Sequence, residues 1–350
     1  MADLYFNDIL INERAFGKYL EALPHQHRNA LIKSGVFVSD PRVKKLLSSQ
    51  VGSYFGVLPM IGRIEGKDPE NYDGQTDLAY EHIGTLKQSV IAYGRSHGWG
   101  ELDFTTDISA GENPMQWMGQ QIADYWDDVD TKIVMGVTNA LFGVGTKEKA
   151  TDNEKEFSTK HTLDISGTVD NIIGDNQAAL NDLVQQASGD KRGQYTMVFM
   201  HSTVAKNLEN AKLLEYMKGV DANGIQRDLT MATWNGRTVI VDDGMPYDPE
   251  TGLYTTYVFG RGMFSFDSLG AKVPVEIVRD AVKNGGITVM YNRRRHALVP
   301  RGFSFVGSTA SLSPTNAELF NKDNWAIVTN GTDQEFHHRD IPVARIISKG

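Results

Sequence analysis

The sequence predicts an α+β fold, and three observations predict it. The stretch Glu112 to Phe142 carries apolar residues at Met118, Ile122, Tyr125, Val129, Ile133, Val137 and Leu141, the three-to-four-residue rhythm of one long amphipathic helix. Before it, residues 57–108 set two strand-like runs around a polar, turn-rich excursion. After it, strands dominate without the βαβ alternation that a doubly wound parallel sheet requires.

The helix has its own stop signals. Asn113 is placed to cap it, Pro114 suits a first turn that lacks an intrahelical amide partner, and Gly143 is placed to end it. A helix over 114–142 is roughly 43 Å long at 1.5 Å per residue, well beyond the usual globular length. Such a rod needs a long surface to lie on. It is a spine rather than a catalytic element.

Two N-terminal pieces precede it. Residues 14–33 read as an amphipathic helix broken near Pro24, and SDPRVKKLL at 39–47 as a short helix with Ser39 or Asp40 as cap and Pro41 in its first turn. They fit either an extended arm or a packed helical pair. The excursion follows: VLPMIGRI goes out, TLKQSVIAYGR returns, and Gly66 to Asp77 forms a tip holding Asp68, Glu70, Asp73 and Asp77 against Lys67. It reads either as a solvated hairpin or as a surface for a partner, since compact domains rarely carry long excursions without a role.

Beyond the spine, the charged run 146–160 lacks periodicity and reads as an exposed loop or insertion. Helices are expected at 175–188 and 203–217, the latter capped by Ser202, around a buried strand YTMVFMHS. Strands are expected near 237–243 and 253–266, then VPVEIVRDA and GITVMYNRRRHALV around Gly285–Gly286.

Composition narrows the function. With 350 residues, 40% apolar and 23% charged, the chain has the make-up of a soluble protein with a sizeable core. No apolar run approaches the roughly 20 residues that span a bilayer, and the N-terminus lacks the basic start and apolar core of a secretory signal. The absence of cysteine excludes disulfides and thiolate sites. A net charge of −9 argues against coating nucleic acid, which needs phosphate neutralisation by Lys and Arg.

No catalytic constellation emerges. GVGTK at 143–147 follows a helix instead of opening one and lacks the spacing of a phosphate loop. Asp242 and Asp243 point to opposite faces of a strand and sit before Gly244 and Pro246, which suits a turn. His201–Ser202 lacks the nucleophile-elbow pattern, and His337–His338 falls in a polar tail. Arg293 and Arg295 would share one face of a strand with Arg294 on the other, fitting a solvated edge, an acidic neighbour or phosphate.

Five segments in order then carry a resemblance: ENPMQWMGQQIADYWDDVDTKIVMGVTNALFG, YTMVFMHSTVAKNLENAKLLEYMK, WNGRTVIVDDGMP with YTTYVFGRGMFSF, NRRRHALVPRGFSFVG, and PTNAELFNKDNWAIV. From about residue 35 to 340 the chain resembles the major capsid proteins of tailed bacteriophages, which share the Hong Kong 97-type fold. The resemblance implies an N-terminal arm over 1–56, an E-loop over 57–108 and an axial domain over 170–275. A peripheral domain would take 109–169, with the spine, and 276–350. It implies a structural, non-enzymatic protein that self-assembles as hexamers and pentamers into an icosahedral virion shell around double-stranded DNA. Assembly would occur in the bacterial cytoplasm, with scaffolding, portal and decoration proteins as partners and with no cofactor, metal or membrane. Asp68, Glu70 and Asp73 are then the candidate contacts to a neighbouring subunit, with Arg293 and Arg295 as candidate receivers. An encapsulin-like cargo shell shares the fold, and a soluble enzyme using Asp242, His201 or Ser202 is the alternative from another class.

Overall fold

The computed structural model describes residues 35–48, 55–61, 71–72, 85–102, 115–167, 171–173, 178–220, 226–307, 311–331 and 334–350. The expected helix over 14–33 and the expected caps Asn113 and Pro114 lie outside them. The chain opens with β1 (Phe37–Val38) and α1 (Pro41–Ser48), then β2 (Phe55–Ile61), β3 (Thr85–Leu102) and the spine α2 (Met115–Phe142). Next come α3 (Asp152–Lys160), β4 (Thr162–Asp164), α4 (Ala179–Ser188), β5 (Tyr195–Met200) and α5 (Ser202–Asn210). Strands β6 (Leu214–Val220), β7 (Gln226–Trp234), β8 (Arg237–Val241), β9 (Tyr247–Asp248) and β10 (Leu253–Gly260) follow. The last stretch holds β11 (Phe264–Ser268), β12 (Val275–Asp280), β13 (Ile287–Pro300), β14 (Phe303–Phe305), α6 (Asn316–Phe320), β15 (Trp325–Ile327) and β16 (Val343–Ser348).

Two large sheets and a separate β14–β15 pair organise these elements. One runs β1-β11-β13-β3-β2 with β12 also on β13, and the other runs β4-β16-β10-β5-β8-β7-β6 with β9 on β10. Strand β3 changes partner along its length. Residues 85–91 pair with β2, whereas residues 92–102 pair with β13. The base of the excursion is therefore the continuation of a strand of the main sheet, which fixes the direction in which it leaves. Gln88, buried, donates to the carbonyls of Pro300 and Phe303 at 2.8 Å each and anchors that base.

The spine lies where the sheets meet. Its C-terminal half packs Ile133, Val134, Val137, Leu141 and Phe142 against Phe199, Tyr257, Phe259 and Phe303 in one core. Its N-terminal half sets Ile122 and Trp126 on Val275 and Met290 of the β12–β13 ribbon. Helices α4 and α5 cover the second sheet through Leu180, Leu183, Val184, Val204 and Leu208. Fully burying one such large aliphatic side chain is worth about 1.5–3 kcal/mol. These stripes, more than propensity, hold the helices in place.

Of the expected spine core, Ile122, Ile133, Val137 and Leu141 are at most 2% exposed, and Val129 is partly buried. The side chain of Met118 lies outside the described residues. Tyr125 is corrected: it is 38% exposed, and Trp126, at 2%, takes the core position. The buried stripe steps four residues from Ile122 to Trp126, leaving Tyr125 on its shoulder against His97 and Trp99. Gly143 does follow the helix, but with φ −78 it is not a left-handed cap. A Cβ there would stand 2.9 Å from Lys322 Cβ, so close approach of the C-terminal region is what its small size serves.

Several other expectations are revised. The run 146–160 is not an exposed loop: Thr151 and Glu154 form a reciprocal capping box that starts α3, and Phe157 is fully buried. The helix expected to reach residue 217 stops at Asn210, because Lys212 adopts φ 57 and Leu213 N bonds back to Leu208 O while Lys212 N bonds to Glu209 O. This Schellman-type stop frees Leu214 onward to pair as β6. The helix cap at α5 is His201, whose ring accepts from Thr203 N, and not Ser202. Gly262, at φ 64, splits the long strand expected over 253–266 into β10 and β11. Finally, sheet membership crosses the expected divisions at 169/170 and 275/276. Strands β4 and β16 complete the second sheet beside β10, and β11 joins the first.

Candidate assembly surface

The base of the excursion is fixed by the β2–β3 ladder and by Gln88, and Asn71 and Tyr72 near its tip are exposed, Tyr72 at 85%. Asp68, Glu70 and Asp73 lie outside the described residues.

The basic run of β13 is committed largely within the chain. Arg293 Nη2 stands 2.7 Å from Glu276 Oε2 on the neighbouring strand β12, and its guanidinium lies over Tyr291. Arg295 is half-buried on the same face, next to Gly94 of β3. Arg294, on the other face as the alternation requires, is buried with its guanidinium 5.0 Å from the Trp126 ring, tying the ribbon to the spine.

Buried titratable groups gather where α3 meets β16. His161 is fully buried, with Nδ1 2.6 Å from the Val343 carbonyl and Nε2 3.3 Å from His338 Nδ1. Burial pulls His161 down to about 3, outweighing the Val343 hydrogen bond, and pulls His338 down to about 4. His338 is 1% exposed, so the expected polar tail is instead a packed turn, held by its amide on Asn153. Sequence spacing could not reveal this, because the two histidines are far apart in the chain.

The residues that invite an enzymatic reading do not converge. Asp243 Oδ1 accepts the Ser202 amide at 3.3 Å and lies 3.7 Å from His201 Nε2, while His201 Nδ1 is occupied by the Thr203 amide. The hydrogen bonds from Ser202 hold the Asp243 carboxyl below its usual range. A triad would have the carboxylate orient the imidazole and the imidazole face the hydroxyl, whereas here the acid grips the helix start. Asp242 accepts from Gly244 N at 2.8 Å in a turn, as its sequence context predicts. In GVGTK the Gly145 amide is spent on Ser158 Oγ. Among the described residues, no group of three or more His, Asp or Glu side chains is placed to hold a metal, and no helix is long and apolar enough to cross a membrane.

No family model matches the chain. Over 329 residues it is 28% identical to the major capsid protein of Bacillus phage SPP1, covering 93% of this chain and 94% of that one. Among solved structures it is similar to the capsid asymmetric unit of cyanophage Pam1, at 9% identity and a TM-score of 0.49, covering 89% of this chain and 87% of that one. The capsid of Ralstonia phage GP4 gives 10% identity and a TM-score of 0.49, covering 89% and 86%. The sequence relationship runs through nearly the whole of both chains. On that ground the chain, an α+β protein, is similar over nearly its whole length to a phage major capsid protein.

Proposed function

We propose that the chain assembles as hexamers and pentamers into a closed icosahedral shell around double-stranded DNA, the excursion of each subunit clasping a neighbour. The observation that supports this reading is the change of partner along β3: residues 85–91 leave β13 to pair with β2 and are anchored on the body by Gln88 and by the Ser304 hydroxyl, so the base of the excursion is fixed. Gly66 to Asp77 is rich in Gly, Pro and Asp and has little apolar area with which to fold alone. Packed on a second subunit, it gains apolar burial at about 25 cal/mol per Å² and charge pairs worth about 0.2–1 kcal/mol each. Closed symmetry repeats each such contact around every ring, so modest contacts add up to a stable shell.

In this reading the first sheet with the spine forms the peripheral domain and the second sheet the axial domain, with β4 and β16 added to the latter. The net charge of −9 suits a wall that encloses DNA without adhering to it everywhere. The shell forms in the host cytoplasm on a separate scaffolding protein, with a portal at one vertex and a decoration protein outside. No step requires catalysis or a cofactor. Co-expression of the chain with its cognate scaffold tests the proposal. Particles sedimenting far faster than a 38.8 kDa monomer are expected. A chain that remains monomeric under those conditions overturns it.

A further inference from the structure

One end of the second sheet gathers cations, most of them without a carboxylate partner among the described residues. The turn before β5 brings Lys191 and Arg192, the start of β8 brings Arg237, the end of β10 leads into Arg261, and the turn before β16 brings Arg339. Backbone contacts hold these segments together: Arg261 N donates to Gln194 O at 3.0 Å, and Gln194 Nε2 donates to Arg339 O at 3.3 Å. Lys191 is paired with Asp340. Arg192, Arg261 and Arg339 are exposed, and no described carboxylate pairs with them.

Arg237 is the informative member. Its side chain is 9% exposed, its Nε has no hydrogen-bond partner, and its one described hydrogen bond is a 3.3 Å contact to Asn235 O. Burial lowers its pKa, Tyr195 beside it acts the other way, and Arg192 lies close enough to oppose its charge further. A recessed guanidinium with a like-charged neighbour and no described acid is an unfavourable arrangement until an anion reaches it.

We propose that this cationic end of the second sheet is the receptor for the acidic excursion of a second copy of the chain. The inference rests on the clasp proposed above and names where it lands. Charge complementarity selects the occupant: the tip from Gly66 to Asp77 holds four acids and one lysine. Reach permits it, since the 23 residues between Ile61 and Thr85 can extend roughly 35 Å out and back at about 3.3 Å per residue. Recession favours a side-chain carboxylate over duplex DNA. A single side-chain carboxylate can enter to Arg237 and accept from its fork, whereas a duplex backbone meets only cations that protrude. Arg293, already matched with Glu276, is the poorer receiver.

The absence of native cysteine makes the test clean. Asn71→Cys and Gly193→Cys leave every charge in place, and a Cβ at Gly193 meets nothing within 4 Å. In assembled particles of the double variant, mild oxidation is expected to yield disulfide-linked dimers and higher ladders several-fold above either single variant. Shells that form normally without extra linkage overturn the receptor while leaving the shell reading standing. Failure of the unmodified chain to form shells counts against the shell reading itself. A second arm replaces Asp68, Glu70 and Asp73 by lysine, which is expected to weaken assembly, and adds Arg192→Glu with Arg339→Glu, which is expected to restore it. If the arginine changes alone leave assembly intact but reduce packaged DNA, phosphate is the partner and the proposal is overturned.

Discussion

Lys147 Nζ lies 2.9 Å from Glu154 Oε1 and 2.8 Å from the Trp325 carbonyl, with the two side chains only 14% and 3% exposed. Glu154 also accepts the amides of Thr151 and Ile327. One carboxylate thus starts α3, neutralises the lysine and ties both to β15. Glu154→Ala strands the ammonium and several donors, and a loss of about 3–5 kcal/mol is expected in urea denaturation of the unassembled subunit. Replacing both residues by apolar side chains of similar volume is expected to cost less than Glu154→Ala alone. A double replacement that costs as much as the sum of both single changes contradicts a coupled pair.

Gly136 sits in the C-terminal half of the spine, and a Cβ placed there would lie 2.2 Å from the Phe320 ring. The usual helix gain from Gly to Ala, up to about 1 kcal/mol, is expected to be outweighed by overpacking of about 1–3 kcal/mol. Phe320→Ala removes the clashing ring. In a double-mutant cycle the combined variant is therefore expected to be more stable than the sum of the two single losses.

Ile133 is fully buried at the junction of the two sheets. Ile133→Asp places a carboxylate in apolar surroundings and is expected to cost several kcal/mol, or to force the acid neutral. Soluble protein with an unchanged melting temperature contradicts the placement of the spine.

The sign of one pH dependence follows from His161, held at about 3 against an ordinary 6.5. Between those values the unfolded chain binds a proton that the folded chain refuses, so stability falls as pH drops below 6.5. The slope from this residue approaches about 1.4 kcal/mol per pH unit. His338 acts in the same direction, while Glu156, Lys160 and His337 face the pair. Urea midpoints from pH 7 to pH 5 are expected to fall in the unmodified subunit and to flatten in His161→Gln. Equal slopes in both contradict the assignment.

The parts legible in the sequence were those whose signal is local and long. The spine, read as 114–142, is found over Met115–Phe142, and the ribbon strands fall where apolar runs sit between turn residues. The capping box at Thr151 and Glu154 was also local, a T-x-x-E pattern hidden by the charge of its surroundings. What could not be read was set by distant partners. Trp126 displaces Tyr125 because of the β12–β13 ribbon, β16 crosses to the second sheet because β10 has an open edge, and Glu276 meets Arg293 only through a register. The cationic end of the second sheet is assembled from four separate segments, so no window of sequence contains it.

Electron microscopy of the sedimented particles tests the central claim most directly. The account predicts closed shells tiled by rings of six with rings of five at the vertices, each subunit carrying its excursion onto a neighbour. Compact, unassembled particles from soluble, folded protein co-expressed with its scaffold would contradict it.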